Sequence, residues 1–109
     1  VIVLLPYGST LMAADQAGKA YTILKDISQR IPDNPEIYKL LAQAARSSGH
    51  AVHTHTAMSQ YYFLSGFTQQ AIDQLRRAEK QPGRSDYESA RIVARINNLE
   101  TLLKTEKSE

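Results

Sequence analysis

Gly66-Phe67-Thr68-Gln69-Gln70-Ala71-Ile72-Asp73-Gln74-Leu75-Arg76-Arg77-Ala78 is the stretch on which the reading of this chain turns. Gly66 can adopt φ > 0 and so can end one helix without steric cost. Ala71, Leu75 and Ala78 then fall at i, i+4 and i+7, on one face of the next helix. The two alanines let a neighbouring helix approach closely, and Leu75 fills the space left between them. The pattern is that of a helical hairpin.

The same punctuation extends in both directions. Upstream, a helix is expected from about Ser9 to Ala17, stopped by Gly18. A second follows from about Lys19 to Arg30, with Ala20, Ile23, Leu24, Ile27 and Ile31 as its stripe. Ile31-Pro32-Asp33-Asn34-Pro35 breaks it, because Pro32 disfavours helical geometry at Ile31. Asn34 can cap the next helix, with Pro35 at its first position. That helix spans about Pro35 to Ser48, with Tyr38, Leu41, Ala44 and Ala45 inward, and Gly49 closes it. The next runs from about His50 to Ser65, with Ala57, Met58, Tyr61, Tyr62 and Leu64 as its apolar set. After the helix from Thr68 to Lys80, Gln81-Pro82-Gly83 is a stop.

Ser85-Asp86-Tyr87-Glu88 fits a capping box, in which Ser85 and Glu88 satisfy each other's amides. Ile92, Ile96, Leu99 and Leu103 follow at helical spacing, with Leu102 widening the stripe, as far as about Lys104. Positions 105–109 read as a frayed tail. No segment alternates apolar and polar residues, so no strand is expected beyond a short one at the apolar start.

The chain has 109 residues, a formal net charge of +2, no cysteine, no tryptophan and six tyrosines. That is one domain by length. Disulfides are excluded, and no strong overall field favours nucleic acid or anionic lipid. No apolar run approaches the ~20 residues that span a bilayer. Val1-Ile2-Val3-Leu4-Leu5 has no initiator Met and no basic residue before it, so the start reads as cut from a longer protein rather than as a signal peptide.

The glycine and proline spacings suggest tetratricopeptide-type repeats, which recur at 34 residues. From Gly18 to Pro35 is 17 positions, Gly49 falls 31 after Gly18, and Gly66 only 17 after Gly49. The helix from His50 to Ser65 is therefore second in one hairpin and first in another, and the spacing leaves its phase open. The expected fold is all-α: helical hairpins stacked as a short right-handed solenoid, closed by a long final helix.

Two segments resemble a particular family. Gln60-Tyr61-Tyr62-Phe63-Leu64-Ser65-Gly66, leading into Ala71 to Ala78, and Asp86-Tyr87-Glu88-Ser89-Ala90-Arg91-Ile92-Val93-Ala94-Arg95-Ile96 are similar to the C-terminal tetratricopeptide region of periplasmic M48-type zinc metalloproteases, the β-barrel assembly-enhancing group. The resemblance implies a periplasmic module that docks a protease to outer-membrane protein assembly machinery or its substrates. Zinc would belong to a protease domain outside this sequence. None of His50, His53 or His55 is followed by glutamate, so no His-Glu-x-x-His helix is present. No nucleophile–base pair or carboxylate pair can be assembled either. The chain is expected to be non-catalytic and without a cofactor.

The candidate site is a partner-binding groove formed by Lys39, Gln43 and Arg46, joined by His53 and Gln60 where the helix carrying them also faces it. The partner is expected to be a protein or peptide, with no nucleic acid and no membrane insertion. Self-association, or a generic tetratricopeptide scaffold unrelated to a protease, is the alternative. His50 and His53 are helical neighbours while His55 points elsewhere, which favours solvated or interface histidines over metal ligands. Arg76, Arg77, Lys80, Arg84, Arg91 and Arg95 form a basic stretch suited to an acidic partner or to pairing with nearby acids. Tyr61, Tyr62 and Phe63 cannot all face inward on a helix, so core is expected for most of them and contact with a neighbour for one.

Overall fold

A computed structural model describes residues 16–108. They form five helices: α1 (Ala17–Arg30), α2 (Pro35–Ser47), α3 (Ala51–Leu64), α4 (Thr68–Glu79) and α5 (Asp86–Ser108). There is no strand among the described residues. The helix expected over Ser9–Ala17 and the strand at the apolar start lie outside them, apart from Ala17, which opens α1.

Local chemistry accounts for the boundaries. Asn34 Oδ1 accepts from the Glu36 amide at 3.0 Å, with Pro35 at the first helical position. At Gly49 and Gly66 φ is +82° and +89°, the left-handed conformation that ends α2 and α3, and Gly83, at +80°, takes it in the turn after α4. Around Ser85 the capping box forms as expected. The Glu88 amide donates to Ser85 Oγ at 3.1 Å, and the Ser85 amide donates to Glu88 Oε1 at 3.2 Å.

Gly18 does not stop a helix: it is the second residue of α1 and has no positive φ. Near a helix end glycine costs little, and Ala17, Ala20, Tyr21 and Leu24 bury the face around it. Leu102 does not widen the stripe of α5; it is 38% exposed. The helix continues through Ser108, past the point where a frayed tail is expected, and Thr68 Oγ1 on α4 donates to Glu106 Oε1 at 3.3 Å.

Each helix packs on its neighbour in the chain. Paired contacts give the directions. His55 meets Gln74 and Ser59 meets Ala71, so α3 and α4 are antiparallel. Thr68 meets Glu106 and Arg76 meets Glu100, so α4 and α5 are antiparallel as well. It follows that α3 and α5 run parallel to each other.

Two apolar clusters hold these layers. One joins Ala20, Tyr21 and Leu24 of α1 to Leu41, Ala42, Ala44 and Ala45 of α2 and Ala57 of α3. The other joins Ala71, Ile72, Leu75 and Ala78 of α4 to Ile92, Ile96 and Leu99 of α5, with Val52, Tyr62 and Phe63 of α3 packed against it. Among the described residues no helix is long and apolar enough to cross a membrane.

Candidate functional site: the groove between α3 and α5

α3 is the central helix, and its polarity is unusual. Its buried residues are Thr54, Ala57 and Ser59, while the aromatic run Tyr61-Tyr62-Phe63 is half-buried. The small polar residues are satisfied within the core. Ser59 Oγ donates to the Ala71 carbonyl of α4 at 2.8 Å, and Thr54 Oγ1 donates to the His50 carbonyl at 3.0 Å. A hydroxyl bonded in this way takes the place of an alanine in a close helix contact, at the desolvation cost of one satisfied polar group.

One face of α3 looks toward α1 on one side and α5 on the other. Toward α1, the Tyr21 ring stacks on His50 at 4.2 Å between centroids and on His53 at 5.7 Å. The Tyr21 hydroxyl is hydrogen-bonded to His53 Nδ1. Toward α5, His53 Nε2 lies 3.3 Å from Glu88 Oε2. The two contacts fix the tautomer: Nε2–H donates to Glu88, and Nδ1 accepts from Tyr21. Tyr21, His53 and Glu88 therefore form a polar chain through α1, α3 and α5.

The electrostatics follow from this chain. Burial, with help from the Lys25 charge, holds the His53 imidazole below the usual histidine range against the opposing pull of Glu88. The Ser85 amide, more than His53, holds the Glu88 carboxyl below the usual carboxylate range. Burial raises the Tyr21 phenol, with a smaller contribution from Glu88. At neutral pH the chain is a phenol, a neutral imidazole and a carboxylate.

Beside Glu88, α3 and α5 border a groove of about 270 Å³. Val52, Leu75 and Ile92 supply apolar lining; Thr56, Gln60, Arg91 and Arg95 supply polar groups. Arg95 Cζ sits 4.6 Å from the Phe63 ring centroid, and Arg91 Cζ sits 5.7 Å from that of Tyr87. The volume accommodates a few side chains rather than a large cofactor. A second hollow of about 400 Å³ adjoins it, between the start of α3 and the Gln81-Pro82-Gly83 turn.

The groove brings together two of the five residues expected from sequence, His53 and Gln60. The other three are on α2. Lys39 Nζ lies 5.9 Å over the Tyr61 ring, Gln43 is exposed, and Arg46 borders a separate cleft with Gly49, Ala51, Thr54 and His55. As the spacing requires, His55 points away from His50 and His53; its Nδ1 is 3.0 Å from Gln74 Oε1. No group of three or more His, Cys, Asp or Glu is placed to hold a metal ion among the described residues. Arg76 pairs with Glu100 at 2.6 Å, Arg84 donates to Ser89 Oγ at 3.2 Å, and Arg91 and Arg95 line the groove, so the basic stretch is not one surface.

Tyr21, Arg91 and Arg95 are the site residues that sequence reasoning did not place here. Tyr21 falls on an apolar stripe and looks like core. The two arginines look like part of a diffuse basic face. A partial signal does exist: Arg91 and Arg95 are one turn apart, and Tyr87 is one turn before Arg91, whereas Phe63, over which Arg95 lies, is on another helix.

No protein-family model matches the chain, and no curated protein matches it in sequence.

Proposed function

We propose that this protein is a non-catalytic docking module of tetratricopeptide type, and that the groove between α3 and α5 is where its partner binds. The observation that carries this reading is the register of alternate helices. Tyr21 meets His53, which is 32 positions on. His53 meets Glu88, 35 positions on, and Phe63 meets Arg95, 32 positions on. These offsets bracket the 34-residue period of such repeats. On this reading α1, α3 and α5 are successive first helices sharing one face, α2 and α4 lie behind them, and α5 closes a short right-handed solenoid. A shared face of first helices is where such solenoids hold an extended peptide or a helix.

The groove supports docking more than catalysis. It offers apolar lining, amide and hydroxyl groups and two guanidinium groups. His53 is held between Tyr21 and Glu88, both serving to join helices. The likeness of Gln60–Ala78 and Asp86–Ile96 to the repeat region of periplasmic M48-type metalloproteases suggests a partner in the cell envelope, such as an outer-membrane protein assembly factor or its substrate.

Selection from a random peptide library displayed on phage tests this. Wild-type protein should enrich a convergent set of sequences. Thr56→Trp, which fills the groove from α3, should weaken the winners by about tenfold or more. Lys39→Glu combined with Arg46→Glu should leave them bound. Undiminished binding to Thr56→Trp, with loss in the α2 variant, would move the site to α2.

A further inference from the structure

We infer that the α3–α5 groove takes an acidic polypeptide segment, whose carboxylates bind Arg91 and Arg95 and whose apolar side chains sit against Val52, Leu75 and Ile92; this rests on the docking reading above. Arg91 and Arg95 are at i and i+4 on α5, so their side chains leave the helix on one face, about 5–6 Å apart at Cβ. Neither forms an ion pair among the described residues. Each is positioned over a ring instead, Arg95 over Phe63 and Arg91 over Tyr87. A guanidinium lying over a ring uses its face and keeps its edge donors for a planar acceptor, the geometry that a carboxylate matches.

Glu88 is the one acid among the groove-lining residues, and against Arg91 and Arg95 it leaves the lining with one net positive charge. Its Oε1 accepts from the Ser85 amide and hydroxyl, and its Oε2 accepts from His53. Both oxygens are thus committed at the far end of the groove. The guanidinium donors of Arg91 and Arg95 are left for a partner. In an extended peptide, side chains two positions apart share a face with a spacing of about 7 Å, close to that of the two arginines. The intervening side chains point the other way. Alternation of acidic and apolar residues is therefore the pattern that the groove fits.

Three fluorescent peptides, acetylated and amidated so that no terminal charge contributes, test the inference by anisotropy. One alternates Glu and Leu, the second Gln and Leu, the third Lys and Leu. The Glu peptide should bind about three- to tenfold more tightly than the Gln peptide at low salt. High salt should erase the difference, and the Lys peptide should be weakest. Arg91→Gln, at an exposed position that does not enter the core, should remove most of the preference without changing the melting temperature. Arg95→Gln should do the same while loosening the contact with Phe63. Equal binding of the Glu and Gln peptides, both blocked by Thr56→Trp, would overturn the acid preference and leave docking intact. Failure of all three to bind would overturn the docking reading together with it.

Discussion

A methyl group added at Gly66 meets no atom within 4 Å, yet Gly66→Ala should destabilise the protein. The cost is conformational: φ is +89°, where an L side chain crowds its own backbone, a penalty of about 1–2 kcal/mol. Gly18 also has open space around it but is helical, so Gly18→Ala should stabilise by about 0.4–1 kcal/mol through loss of unfolded-state freedom. Urea unfolding of both variants should give shifts of opposite sign; two shifts of the same sign would contradict the assigned backbone conformations. Leu75 is 3% exposed between the two alanines of α4. Leu75→Ala should cost about 2–5 kcal/mol through the cavity it leaves, a large share of a small domain's stability. An unchanged melting temperature would show that Leu75 is not a core residue.

At the scale of the element, α3 decides the arrangement, and it was the least legible helix. Glycine and proline chemistry marked both its ends, those of α2 and α4, and the start of α5. The capping box of α5 and the Asn34 cap of α2 were equally plain, since each depends on residues within a few positions of one another. The phase of α3 was not legible, because its apolar residues surround the helix and its buried contacts include Thr54 and Ser59. Thr54 returns its hydroxyl to the His50 carbonyl one turn back, but Ser59 is received by Ala71 on α4, and nothing in the local spacing announces a carbonyl on another helix. The Tyr21–His53–Glu88 chain joins three helices through long-range contacts and was invisible for the same reason.

The chain also gives α3 a pH dependence. The folded-state His53 pKa lies below its ordinary 6.5, so the unfolded protein binds the proton more readily. Its stability contribution is complete above about pH 7.5 and is lost as pH falls through 6.5 toward the lower folded value. Glu88 behaves similarly in acid, with stability lost as pH falls below its ordinary 4.5. Urea midpoints measured across this range should drop in two steps, and His53→Gln should remove the upper one. A midpoint that rises on acidification through 6.5 would contradict the burial of His53.

At the scale of the whole molecule, an all-helical body of packed neighbours followed from the punctuation and stripes, but the position of the groove did not. Short local spacings place a residue on a helix; they do not say which helices lie side by side two elements apart. Lys39, Gln43 and Arg46 share the polar face of α2, which reads from sequence as the first helix of a hairpin. The contacts set α3 beside α5 and bring His53 and Gln60 to the groove between them, while Lys39, Gln43 and Arg46 lie outside it. The most direct test of that groove is an NMR titration of the isotope-labelled protein with a peptide recovered from display. Shifts should concentrate on the amides of residues 52–60 and 88–95. Shifts concentrated on residues 39–46, with the α3 and α5 amides unmoved, would contradict the proposed site.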